Sequence, residues 1–178
     1  MAWSSPMTAV AGNAITDADW NTNVRDNLLQ TAPAKATANG GYFVATGANA
    51  IAERHIATAF IATAQSSSTA SFIDLATAGP TVTVDTGSHA LVLFKAHVEH
   101  TVTNAVSAIS FQVSGATTIS STFNQSAQVD GVVLGNKPSM CGFKYVSLTP
   151  GTNTFKLQYY TGAATATFEL REIVVIPL

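Results

Sequence analysis

Apolar positions recur at helical spacing before residue 33 and alternate with period two from residue 71 onward. In the first region Trp20, Val24 and Leu28 stand at i, i+4 and i+8, a single apolar stripe that Leu29 widens. Thr16 is a good N-cap, Asp19 stands three residues on, and Asp17 adds negative charge to the first turn. The spacing therefore predicts a helix of about 12 to 15 residues beginning after Thr16 and stopped by Pro33. A helix of that length is not stable alone in water, so its stripe must dock on something. Pro6 and Gly12-Asn13 mark turns, and the first dozen residues read as an extended arm.

Residues 32–70 are rich in Ala, Thr and Gly and read as an extended linker. Within them, runs 42–45 and 50–53 flank Thr46-Gly47-Ala48-Asn49, a small hairpin over residues 42–53. Gln65-Ser66-Ser67-Ser68-Thr69 reads as a loop leading into the main domain, residues 71–178.

In that domain the alternation predicts strands at 71–76, 80–85, 90–101, 108–114, 117–124, 129–134, 139–148, 153–160 and 164–176, separated by Gly-, Pro- and Asn-containing turns. Val92, Phe94, Ala96 and Val98 share one face, as do Ile109, Phe111 and Val113, and Phe155, Leu157 and Tyr159. The last strand sets Phe168, Leu170, Glu172, Val174 and Ile176 against Glu169, Arg171, Ile173 and Val175. Its final part is apolar on both faces, as in a central strand or one at a subunit interface. The fold class is mainly β, an antiparallel sandwich or jelly roll preceded by a short N-terminal helix and an extended arm with a small hairpin.

Composition sharpens this picture. Only 10% of the 178 residues are charged, against about 25% in an ordinary soluble domain, while 47% are hydrophobic. Ala, Thr and Ser together supply roughly two-fifths of the chain. So few charges imply either a neutral polar surface or a surface covered between subunits, and the risk of self-association in a weakly charged monomer favours the second. The net charge of −2 provides no basic field for nucleic acid. No apolar run reaches the ~18 residues of a membrane span, so no membrane insertion is expected. The N-terminus shows no secretory signal, and synthesis in a cytoplasm is expected. A single cysteine, Cys141, excludes a disulfide framework; within a predicted strand it reads as a small buried core residue.

Candidates for chemistry are sparse. His97 and Glu99 share one strand face and could supply two metal ligands, but a third is missing: His100 faces the other way, His89 precedes the strand, and His55 lies in the arm region. No metal or other cofactor is expected. There is no Gly-x-Ser-x-Gly elbow and no Gly-rich phosphate loop. The carboxylates Asp74, Asp85, Glu99, Asp130, Glu169 and Glu172 are scattered, so a glycosidase pair is visible only in three dimensions. For sugar stacking both tryptophans lie outside the sandwich, leaving Tyr145, Tyr159 and Tyr160. Tyr159 and Tyr160 must face opposite sides of their strand, and Tyr160 is the candidate ligand contact.

The opening MAWSSPMTAVAGNAITDADWNTNVRDNLL, residues 1–29, resembles the N-terminal segment of tailed-bacteriophage virion surface proteins. The likeness lies in the tryptophan near the start, the Val-Ala-Gly turn, the Thr-capped helix and the run Asn21-Thr22-Asn23-Val24-Arg25-Asp26-Asn27-Leu28. The stretch ATGANAIAER, residues 45–54, is similar to a hairpin of phage fibre and tail-associated proteins. The β region, with its Leu148-Thr149-Pro150-Gly151-Thr152-Asn153 turn, is similar to their jelly-roll or tumour-necrosis-factor-like heads.

The resemblance implies a non-enzymatic homotrimer on the virion exterior, made in the host cytoplasm. Residues 1–31 would attach it to the major capsid protein or to tail proteins, with Trp3, Trp20, Val24, Arg25, Leu28 and Leu29 at the anchoring or oligomer interface. Arg25 and Asp26 would fix the helix as an ion pair, or form a solvated pair worth little. Capsid decoration suits a short chain with no repeat stalk; the alternative is a minor tail or fibre protein whose head binds host-surface glycan.

Overall fold

The computed structural model describes residues 4–5, 7–8, 10–162 and 165–178. The chain divides into two compact units, residues 1–55 and 56–178.

In the first unit the helix begins where the capping pattern places it. The Asp19 amide donates to Thr16 Oγ1 at 3.2 Å and the Thr16 amide donates to Asp19 Oδ2 at 3.0 Å, a reciprocal box that satisfies two end amides. The helix, α1, runs through residues 17–28 with a wide π turn at Asn21–Arg25. Pro33 does not simply stop it. Proline is well suited to the first turn of a helix, where its missing N–H is not needed, and a second helix, α2, spans Ala32–Lys35. Strands β1 (Tyr42–Gly47) and β2 (Ala50–Arg54) form the expected hairpin, with Asn49 at φ 55°, a conformation asparagine tolerates better than most residues. The Glu53 carboxylate accepts from the Thr37 amide at 2.7 Å and the Ala38 amide at 3.4 Å, pinning the preceding loop to β2. A further bond donated by the Thr37 hydroxyl, and then these amide bonds, hold the carboxyl below its ordinary value.

The second unit is a sandwich of nine strands: β3 (Ala57–Ile61), β4 (Gln65–Ser67), β5 (Thr81–Thr86), β6 (His89–His100), β7 (Ala105–Gly115), β8 (Ala127–Val132), β9 (Ser139–Ser147), β10 (Gly151–Thr161) and β11 (Ala166–Pro177). One sheet has the order β5-β10-β7-β8; in the other β11 lies between β6 and the pair β3 and β4, with β9 outside β6. All pairings are antiparallel. From β4 onward each successive strand changes sheet except at β7–β8, the connectivity of a jelly roll.

The expected faces meet in the core. Val92, Phe94, Ala96 and Val98 of β6 face Ile109, Phe111 and Val113 of β7 and Phe155, Leu157 and Tyr159 of β10. Phe94 and Phe111 meet edge to face at 5.6 Å, and Tyr159 and Phe168 pack at 4.9 Å. Each such fully buried ring contributes about 2 kcal/mol through area removed from water.

Four expectations are corrected. Residues 71–76 and 117–124 are not strands: Ile73 and Ile119 each make a lone bridge, to Tyr159 and Val113, and Phe123–Gln125 is a 3₁₀ turn. The segment read as linker contains β3 and β4, where small side chains such as Ala57 and Ala59 pack on the core without a large apolar alternation to announce them. Cys141 is exposed, because its position in β9 points away from the core. The final strand does not keep one phase. Leu170 has φ 50°, and Glu169 and Glu172 oppose His97 and Lys95, so one extra residue is inserted and the faces exchange. Phe168 points inward before this bulge; Arg171, Ile173 and Val175 point inward after it.

Arg171 is fully buried. Its guanidinium donates to Thr77 O (3.2 Å), Gly79 O (3.4 Å), Thr63 O (3.2 Å) and Gln65 Oε1 (3.3 Å), and lies 5.4 Å from the Tyr159 ring centre. Tyr159 in turn donates to Gly79 O at 2.8 Å. Replacing Arg171 with Met is expected to destabilise the protein by about 3 kcal/mol, since buried acceptors lose a charged donor. Lysine should not rescue it, because a single ammonium cannot reproduce the planar fork. Urea unfolding checks this: the midpoint should fall with the slope unchanged.

His100 is also buried, with neither ring nitrogen hydrogen-bonded, and burial holds its pKa below the ordinary value. The unfolded chain then takes up a proton more readily than the folded one. Stability from this group is present above about pH 6.5 and is lost as pH falls through it. His100→Leu should flatten the loss between pH 7 and 5 relative to the unaltered protein, as read from unfolding midpoints.

Candidate functional site

The N-terminal unit presents the clearest unsatisfied surface. Asn27 on α1 is buried. Its Oδ1 accepts from the amide of Ser4 at 2.9 Å and from its hydroxyl at 3.0 Å, while Nδ2 donates to Asn23 O at 3.1 Å. The arm is thereby buckled to the helix. Met7, Ile15, Trp20, Val24 and Asn27 line a shallow groove of about 280 Å³.

Val24 is half-buried, but Trp20 is 59% exposed, and Leu28 and Leu29 are each 58% exposed. The stripe that a short helix must cover is thus left exposed by the described residues of its own unit. Arg25 Nη2 pairs with Asp26 Oδ1 at 2.8 Å in solvent, a contact worth little. Trp3 lies outside the described residues. Asn27 was not singled out from the sequence, although a polar residue beside an apolar helical stripe is a signal that it meets a specific partner.

The other candidates are spread over the sandwich. His97 and Glu99 sit on the outer face of β6, both half-buried. Lys137 Nζ stands 3.3 Å from Glu99 and 3.1 Å from Glu169, and these contacts raise its pKa. An ammonium thus occupies the space between the two carboxylates that a cation or a glycosidic oxygen would need. Among the described residues no group of three His, Cys, Asp or Glu side chains could hold a metal ion.

Tyr159 is in the core and Tyr160 on the opposite side, as strand alternation requires. The Tyr160 ring packs at 4.9 Å on Phe123 and 5.7 Å on Phe72, with the rings inclined to one another rather than forming a flat platform. Tyr145 stacks on His89 at 4.9 Å and remains 56% exposed. No helix among the described residues is long and apolar enough to cross a membrane.

No protein-family model matches the sequence, and no curated protein matches it. Among solved structures the chain is similar to the tumour necrosis factor Eiger of S. frugiperda, with TM-score 0.48, 12% identity, 69% of this chain and 91% of that one covered. It is similar also to the infectious bursal disease virus VP2 subviral particle, with TM-score 0.47, 15% identity and 74% of this chain covered; the chain spans about a third of that protein's length, 36%. Murine APRIL matches with TM-score 0.35 and 10% identity over 65% of this chain and 98% of that one.

Proposed function

We propose that this chain is a non-enzymatic structural protein of a tailed-phage virion, a homotrimer on the particle exterior docked through its N-terminal segment, and within that class a capsid decoration protein. The observation that carries the reading is the outward apolar face of α1, with Trp20, Leu28 and Leu29 exposed in a unit separate from the sandwich. A short helix held in shape by its own capping box and by the Ser4–Asn27 buckle, yet uncovered, fits an anchor that completes its burial on another protein. The likeness of residues 1–29 to virion proteins supports the same role. The sandwich supplies a displayed head without needing residues of the anchor for its core.

Within that class, the helical segment, hairpin and single head of the described residues suit capsid decoration; a minor tail or fibre protein whose head binds host-surface glycan is the alternative. The inclined packing of the Tyr160 ring also gives a glycan no flat stacking surface there.

The test is incorporation. Trp20→Asp with Leu28→Asp should leave the unfolding free energy of the protein unchanged to within about 0.5 kcal/mol, since both side chains are exposed. It should lower the copies found on purified particles at least tenfold, as counted by quantitative mass spectrometry. Incorporation equal to the unaltered protein would sink the anchoring role.

A further inference from the structure

The outer face of the sheet containing β9, β6, β11 and β3 presents apolar side chains in register across its strands. Tyr145, Leu91 and Ile176 stand in one row, and Phe143, Leu93 and Val174 in the next. Beyond them Lys95 lies between Cys141 and Glu172, with Phe60 at the edge. Phe143 is 77% exposed and Phe60 55%, against the ordinary expectation that rings of this size leave water. A contiguous apolar patch of this kind marks an interaction surface.

We propose that this face is where the sandwiches of separate copies of this chain meet. The proposal rests on the homo-oligomeric reading above and names the surface that oligomer uses. Two features select a second copy as the occupant. First, the face carries both halves of a fit: the projecting Phe143 ring forms one side of a groove of about 450 Å³ whose other walls include Leu93, Cys141 and Val174, with the paired Lys95 and Glu172 also in its lining. A ring from one copy can enter the groove of the next, and such a head-to-tail contact closes into a ring of copies when the rotation permits.

Second, the one charged pair among the apolar rows is neutralised in place: Lys95 Nζ lies 2.8 Å from Glu172 Oε2. The rim cluster, in which Lys137 is bonded between Glu99 and Glu169, keeps one net negative charge outside those rows. The apolar rows of two copies can therefore meet without an unpaired charge between them, which would otherwise oppose association. The 10% charged composition is the same property seen along the whole chain.

The experiment is absolute mass by light scattering after size exclusion, on the full chain from 100 down to about 2 μM. The unaltered protein is expected to keep an oligomeric mass throughout, and Phe143→Asp to run as a folded monomer. Tyr145→Asp, at a second exposed position, should do the same and guards against misfolding of the first variant. Cys141 reports on the same face: its thiol should react with an aromatic disulfide at least tenfold faster in Phe143→Asp than in the unaltered oligomer.

A folded Phe143→Asp or Tyr145→Asp that retains the oligomeric mass and a slow thiol overturns this face while leaving the oligomer standing. An unaltered protein that is monomeric at 100 μM overturns the oligomer and the face together.

Discussion

The buried guanidinium of Arg171 sets the geometry of the sandwich. A charge taken wholly out of water is costly unless hydrogen bonds compensate it. Here neutral oxygens meet the two terminal nitrogens, three backbone carbonyls and one side-chain amide, from Thr63, Gln65, Thr77 and Gly79, while Nε is left without a hydrogen-bond partner. Thr63 and Gln65 stand just before and at the start of β4, and Thr77 and Gly79 lie on the stretch that crosses from β4 to β5 in the opposite sheet. Gln65 reinforces the same crossing, since its Nε2 donates to Thr77 Oγ1 at 2.7 Å and its Oε1 accepts from the Thr77 amide at 2.9 Å. The arginine thereby fastens a crossover of irregular backbone to a central strand, work that an apolar residue could not do.

Arg171 can point inward only because the bulge at Leu170 shifts the phase of β11. The shift has a second consequence on the far side of the strand. Without the inserted residue Glu172, Val174 and Ile176 would continue the inward series of Phe168. With it they turn outward, where Glu172 meets Lys95 and Val174 stands beside Leu93. One local irregularity therefore fixes both the polar clamp inside the sandwich and the apolar face outside it.

The sequence made legible whatever depended on regular alternation of large residues. The inward faces of β6, β7 and β10 fall on the residues expected, because Val, Phe, Ile and Leu at every second position allow one register only. The Thr16–Asp19 cap was equally plain, since its chemistry is local. Strands β3 and β4 were hidden because alanine, threonine and serine pack at a sheet edge without declaring which side is inside. The phase change at Leu170 was hidden because nothing about a leucine announces a positive φ. At the candidate anchor the apolar stripe was readable, whereas the Ser4–Asn27 buckle joins residues 23 apart and exists only once the arm folds back.

Cys141 shows how such a difference can be informative. Cysteine is among the most buried residue types, and on that ground it was expected in the core; in the folded chain it is exposed. Its surroundings do not resemble an ordinary surface, since Phe143 follows it on the same face of β9 and Val174 stands in the same groove wall. The chain as a whole has ten acidic and eight basic residues to keep its surface in water. Residue types chosen for burial and then left uncovered by the folded chain are what an interface core contains before its partner arrives. In the proposed assembly the statistical expectation for Cys141 and its observed exposure agree: the residue belongs to an interior that one copy of the chain cannot close.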